Sequence, residues 1–552
     1  MHKVLLLGIA LFLVLPQIVL AQETKSKTKK IRLVKAEKGF YNRETDRNRF
    51  VGDVVFEHEG AMMYCDSAWL YGKENRLEAF QHVRLNQGDT IFLNGDYLEY
   101  SGETKKAITT GKEVTLQDKE MLLVTDRIDF DRKSNIAYYT TGGVITNDEN
   151  ELISRQGTYS TYSKVFNFKD SVILTNPDYV IESDTLIYNS DTRIAYFHGP
   201  TTITSDSSYI YCENGLYNTV TDIAQFEENA LLYDENKYLT GDSLYYEKKF
   251  EFGEAFGNVR LHDTINNYVI SGQYGRYLGQ FDSAFVTIEP MYSVVEDSDT
   301  LFIHGDTIMS STRKDSIDEY RLVKIFHGVR FFKTDMQGQC DSLTYYTKDT
   351  TFRMYDNPII WNDSTQITGD TIYMLMANDK PDTLKVFNNA FMISRDSANY
   401  NQVKGKKMRG KFNKEGELAK VYVDGNGQTI YYPKEEDGDY IGMNKSICSN
   451  MIIQFKKSEL QSITFLKKPD ATLYPIENIP GGENRLEGFN PHFELRPHKK
   501  EDIFLEVKNS TKKITKSTVE EADSTSLSQP TIQLQKKDNK GRNSKKPVPI
   551  NK

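Results

Sequence analysis

The chain has 552 residues, of which 69 are Lys or Arg and 78 are Asp or Glu, a mildly acidic balance that argues against a nucleic-acid binder. Aromatic residues make up 12% of it, with 34 Tyr against 15 Pro. That composition, in segments dominated by β-forming residues, points to an all-β protein.

The chain opens with Met1-His2-Lys3, an apolar run from Val4 to Leu20, and the small-residue ending Val19-Leu20-Ala21. Residues 1–21 therefore read as a secretory signal peptide cut near Ala21, which predicts work outside the cytoplasm in soluble form. Residues 22–48 form a basic segment with Lys25, Lys27, Lys29 and Lys30 ahead of the alternating Ile31-Arg32-Leu33-Val34. Such a strand suits an exposed sheet edge, as a guard or as a docking strand for another β-protein.

From residue 49 a pattern Asp-x-apolar-x-apolar returns about every 30 residues, the spacing of a repeat architecture. It reads Asp66-Ser67-Ala68-Trp69-Leu70, Gly95-Asp96-Tyr97-Leu98-Glu99-Tyr100, Asp126 to Phe130, Asp184 to Tyr188, Asp242 to Tyr246, Asp341 to Tyr345 and Asp370 to Met374. Ile91 and Leu93 alternate in one phase, and Leu98 and Tyr100 resume on the other parity. After the turn at Ser101 to Thr104, the return strand slips phase again around Gly111, between Ala107 and Val114 with Leu116. Strand side chains alternate faces, so each slip marks a bend or bulge, and each unit is a hairpin of two bent strands. About twelve such units would stack over roughly 115 Å.

Residues 49–403 carry these repeats. Residues 404–500 read as terminal repeats and a cap, and residues 501–552 as a basic, disordered tail. The four cysteines, Cys65, Cys212, Cys340 and Cys448, lack metal spacing. Three sit near the bend of distant units, too far apart for disulfides, and are expected to be buried thiols.

The repeated Asp admits three readings: a hydrogen-bond acceptor at the bend, a calcium ladder, or catalysis. Turn chemistry favours the first. One carboxylate per unit cannot fill a calcium shell, and an active site needs one place that differs. No HExxH, GxSxG, phosphate loop or dinucleotide fingerprint occurs, so the sequence supports no enzyme, metal site or cofactor.

The interior stripe comprises Ile91, Leu93, Leu98, Tyr100, Val114, Leu116, Ile128, Phe130, Leu186, Tyr188, Leu244, Tyr246, Val259 and Leu261. Periodicity admits both a filled core and an open groove for alkyl chains.

Gly95 to Tyr100, Ser183 to Asn189, Ala255 to Val259 and His198-Gly199-Pro200-Thr201-Thr202-Ile203 make the chain resemble the OstA-like family. These are the LptA-like periplasmic proteins of lipopolysaccharide transport, here in the long form of Bacteroidetes-type bacteria. The resemblance covers about residues 39–308. It implies an elongated, bent two-sheet β-jellyroll whose stripe binds the acyl chains of lipopolysaccharide. It further implies a periplasmic bridge to the outer membrane, docked by edge strands to inner- and outer-membrane Lpt-type jellyroll proteins. The competing expectation is a structural or adhesive β-solenoid with a filled core at the cell surface.

Overall fold

The computed structural model describes residues 29–505, apart from short stretches at 89, 148, 207, 235, 266, 296–298, 317–318, 378–379, 398, 436 and 457–458. The expected signal peptide, the start of the basic segment and all but the first residues of the expected tail lie outside the described residues. Within them the fold is all-β, without an α-helix.

The first strands are β1 (Arg32–Lys35), β2 (Lys38–Asn42), β3 (Arg47–His58), β4 (Ala61–Tyr71), β5 (Arg76–Gln87), β6 (Ile91–Ser101), β7 (Lys106–Gln117) and β8 (Leu122–Asp131). From β3 to β8 each pairs antiparallel with the next, and the antiparallel ladder continues to Asp470–Tyr474. Long strands break register once, near the middle, and elsewhere the strand is split there into two short pieces, as at Ile136–Tyr139 and Gly143–Asn147. In the β5–β6 pair, Phe80 faces Tyr97 and Val83 faces Gly95, which leaves Gln81 and His82 opposite the single residue Asp96.

These two residues have φ of 65° and 46°, in the left-handed region. The same paired conformation recurs at Asp170-Ser171, Glu228-Asn229, Gly257-Asn258, His327-Gly328, Asp356-Asn357 and Asn388-Asn389. Two successive left-handed residues turn the chain through a corner, so each strand serves two sheets. One sheet, arm A, holds segments such as 83–87 and 91–95. The other, arm B, holds 76–80 and 97–101. Their inner faces share one core, in which Leu93 of arm A and Leu98 of arm B are both fully buried.

The repeated Asp is the single residue facing each corner, and the structure gives it the turn role. Asp66 meets Nδ1 of His82 at 2.8 Å, Asp96 accepts from the Lys112 N–H at 3.1 Å, and Asp242 and Asp370 accept from Asn258 and Asn389 at 3.0 and 2.9 Å. Gly95, one residue earlier, sits in the crease, where a Cβ would lie 2.5 Å from Thr109 Cγ2 and 3.3 Å from the Thr110 carbonyl. All four cysteines, Cys448 included, are free and buried at or beside the crease. Burial pushes the Cys65 and Cys212 thiols up to about 12.

Both ends of the ladder are open edges. Among the described residues β1 and β2 pair only with β3, and Leu33, Val34, Phe40 and Tyr41 are exposed there. At the other end Glu459–Leu466 and Asp470–Tyr474 pair only with Met443–Lys456.

Residues 475–505 leave the last strand and run back along the outer face of arm A as a strap, seated on a row of buried polar side chains. Gln402 bonds the Asn484 carbonyl and Leu486 N–H, and Gln366 bonds the Asn490 carbonyl and His492 N–H. Gln337 accepts from Arg496, and Arg330 donates to the carbonyls of Leu495, Asp502 and Leu505.

Two substitutions test these features. Gly95→Val is expected to destabilise the N-terminal units by about 1–3 kcal/mol through overpacking at the crease, measured as a lowered thermal midpoint. Gln366→Ala removes both of its bonds to the strap, and limited proteolysis is expected to cut residues 475–505 faster while the ladder stays intact.

Candidate lipid-binding trough

The mouth between the two arms differs along the ladder. At the N-terminal units it is filled and clasped. Ile91, Leu93, Val114 and Leu116 of arm A are buried against Leu98, Tyr100, Ile128 and Phe130 of arm B. Above them the tips of the arms are joined. The Tyr100 hydroxyl lies 2.7 Å from His58 Nδ1 and accepts from Arg132 at 2.7 Å, and Arg132 also donates to the carbonyls of His58 and Glu59 and to Gln87 Oε1. Gln87 donates to Asn135 at 3.1 Å, and Lys105 pairs with Glu59. Burial raises the Tyr100 pKa, which keeps the phenol protonated and able to donate to His58. One unit on, Asp118 of arm A accepts from Tyr159 and Lys164 of arm B.

Beyond that clasp the inward positions nearest the rim are only half-buried. They are Leu174, Tyr179, Ile203, Ile210, Leu232, Leu239 and Leu261 on arm A, and Tyr188, Tyr217 and Tyr246 on arm B. Nearer the crease, Ile181, Leu186, Phe197, Phe226, Leu244 and Val259 remain buried. Small inward residues, among them Ala195, Ala224, Ala230 and Ala255, occur here as they do in the clasped units at Ala68, Ala79 and Ala107. Half-buried apolar side chains thus line the mouth along residues 172–262, a strip called the trough below.

The mouth closes again where Tyr268 and Tyr292 of arm A stack at 5.5 Å beside Arg321 of arm B. Arg321 is held by Ser310 at 3.0 Å and Asp282 at 3.1 Å. Burial pushes the Tyr268 hydroxyl up to about 12. Farther on, Met336, Ile360, Met374, Leu384, Phe412 and Phe455 line a second recess with an internal void of about 30 Å³. A void of about 10 Å³ lies among Leu123, Tyr139, Tyr159 and Phe166. Neither volume holds an alkyl chain.

Residues 28–184 match the OstA-like protein family. Over that span the chain is similar to OstA-like proteins. No curated protein matches the chain. The family match suggests a role in lipid or lipopolysaccharide transport. Among the described residues, no group of three or more His, Cys, Asp or Glu side chains is placed to hold a metal ion.

The structure thus divides the sequence-derived stripe. Ile91, Leu93, Leu98, Tyr100, Val114, Leu116, Ile128 and Phe130 lie in the clasped core. Leu186, Leu244 and Val259 form the floor of the trough, and Tyr188, Tyr246 and Leu261 its walls. The Asp-x-apolar-x-apolar pattern missed Tyr179, Ile203, Ile210, Tyr217, Leu232 and Leu239. Ile210 and Tyr217 belong to a unit with Glu213-Asn214 in place of the Asp, and alternation through Ser208–Asn218 was the signal that could have found them.

Tyr100→Phe is expected to cost about 1–3 kcal/mol, because His58 and Arg132 lose a buried partner. Amide exchange at the β3–β4 and β5–β6 turns should accelerate, while residues 172–262 keep their protection.

Proposed function

We propose that the protein is a non-enzymatic lipid carrier of the periplasm that shields the acyl chains of lipopolysaccharide in the trough at residues 172–262. The observation that carries this reading is the row of half-buried, inward-facing apolar side chains between two clasped sections. In a fold so well able to fill its interior, that row is unfilled binding surface. Burying one acyl chain of about 12 carbons is worth about 10 kcal/mol gross, enough to hold lipid away from water. The apolar walls offer no single polar anchor, so a chain held there can slide or leave.

In this reading the open edges at β1 with β2, and at Glu459–Leu466 with Asp470–Tyr474, add strands to jellyroll partners at the inner and outer membranes. The filled N-terminal units favour a second reading, a structural solenoid at the cell surface, for that part of the chain.

A photocrosslinking side chain at Tyr217 or Leu239 is expected to capture lipopolysaccharide in cells, whereas one at Leu98 or at outward-facing Glu99 captures none. Leu232→Asp should reduce lipid capture at Tyr217 at least tenfold, since a carboxylate in the trough must be desolvated by the chain. Equal labelling from all positions, or labelling from none, would leave the scaffold reading standing. Surface proteolysis on intact cells would then separate display from periplasmic residence.

A further inference from the structure

The turns that end the arm B hairpins form the rim on one side of the mouth. At the clasped N-terminal units these turns are polar: 72–75 is Gly-Lys-Glu-Asn, 102–105 is Gly-Glu-Thr-Lys and 132–135 is Arg-Lys-Ser-Asn. From the last clasped turn to the turn at the second closure the composition changes. Tyr162 is 85% exposed, Val220 70%, Phe250 55% and Phe281 69%, one on each successive turn except the turn 190–193, which carries Asp191. Past the second closure the turn 347–350 is again polar, Thr-Lys-Asp-Thr.

These turns are tied to one another. Thr161 donates its N–H to the Asn135 carbonyl at 2.9 Å, Ser190 to Lys164 at 3.1 Å, Thr219 to Arg193 at 2.9 Å, Lys248 to Asp222 at 3.1 Å and Gly279 to Glu251 at 2.7 Å. The rim is therefore a continuous ridge whose leading N–H groups are already bonded, with apolar prongs about 10 Å apart from Val220 to Phe281 and Tyr162 about 20 Å from Val220. A run of exposed apolar tips on successive turns, Val220, Phe250 and Phe281, is not the scattered single residues of an ordinary surface.

We propose that this ridge inserts into the interface of a lipid bilayer and brings the trough against the membrane surface. The ridge's bonded backbone suits a medium of low polarity, where unpaired N–H groups are costly, and offers no free strand edge for β-addition by a protein. Lys248 and Lys249, the latter 5.5 Å from the Phe250 ring, can reach headgroup phosphates while the ring inserts. Asp191, Asp222, Glu251 and Asp282 on the same ridge balance those charges, so insertion is apolar in origin and does not require an anionic membrane. The purpose assigned to it rests on the lipid-carrier reading, but membrane insertion is measurable by itself.

The test is flotation of the full-length chain with vesicles of phosphatidylcholine alone and of phosphatidylcholine mixed with phosphatidylglycerol. The wild type is expected to float with both. The triple variant Tyr162→Asp, Phe250→Asp, Phe281→Asp should lose about tenfold or more in partitioning while its circular dichroism and melting are unchanged, since all three side chains face solvent. Phe281→Trp should add a blue-shifted emission component on vesicle addition. Capture of a fluorescent fatty acid in vesicle-free solution should be equal in wild type and triple variant. Its failure in both would overturn the carrier reading and leave insertion intact. Vesicle binding that survives the triple substitution, or that appears only with phosphatidylglycerol, overturns the ridge proposal.

Discussion

Everything in this fold depends on the corner. A β-strand cannot belong to two facing sheets unless it turns sharply and then shows the opposite parity to the core, and two left-handed residues accomplish both at once. The cost of holding residues such as Gln81, Glu228 or Asp356 at positive φ is of order 1–2 kcal/mol each. It is met in most units by the facing Asp, as at Asp66, Asp96, Asp242 and Asp370, and by burial of the two arms against each other. The crease has no room beyond a glycine or a small side chain, so both arms meet there in every unit, whatever happens at the mouth.

Because the crease is constant, variation is confined to the tips. Large inward residues with polar tips that reach one another produce a filled, clasped section, as with Tyr100, Arg132 and His58. Beyond the clasp the rim residues stay half-buried, as at Ile210, Tyr217 and Leu232. One architecture thus carries a rigid section and a receptive one without a change of topology. The trough, the apolar ridge beside it and the two polar closures occupy the same stretch of ladder, and that coincidence gives the functional reading its weight. The strap reinforces the C-terminal units from outside and leaves their inner faces untouched.

The repeat, the bent hairpin, the role of Asp at the bend and the inward parity of Leu98, Leu186 and Leu244 were legible in the residues, because each is local. Parity and turn chemistry act over a few positions, and the period multiplies the signal. The left-handed pairs on the return strand were less visible, since they use Gln-His, Asp-Ser, Glu-Asn or Asn-Asn and not a constant glycine.

Whether a given inward residue is core or wall was decided by tertiary structure alone. Tyr100 and Tyr246 have the same place in the motif, yet Tyr100 is bridged to His58 and Arg132, which join strands as much as 74 positions apart, and Tyr246 stays half-buried. The strap's return along arm A is likewise settled by Gln402, Gln366 and Gln337 meeting residues about 80 to 160 positions away. Amino-acid order determined the unit and its faces, because alternation is a property of the backbone. How far the two arms stand apart depends on the size of every side chain between them and on which tips bond across the mouth, and only the assembled ladder brings those together.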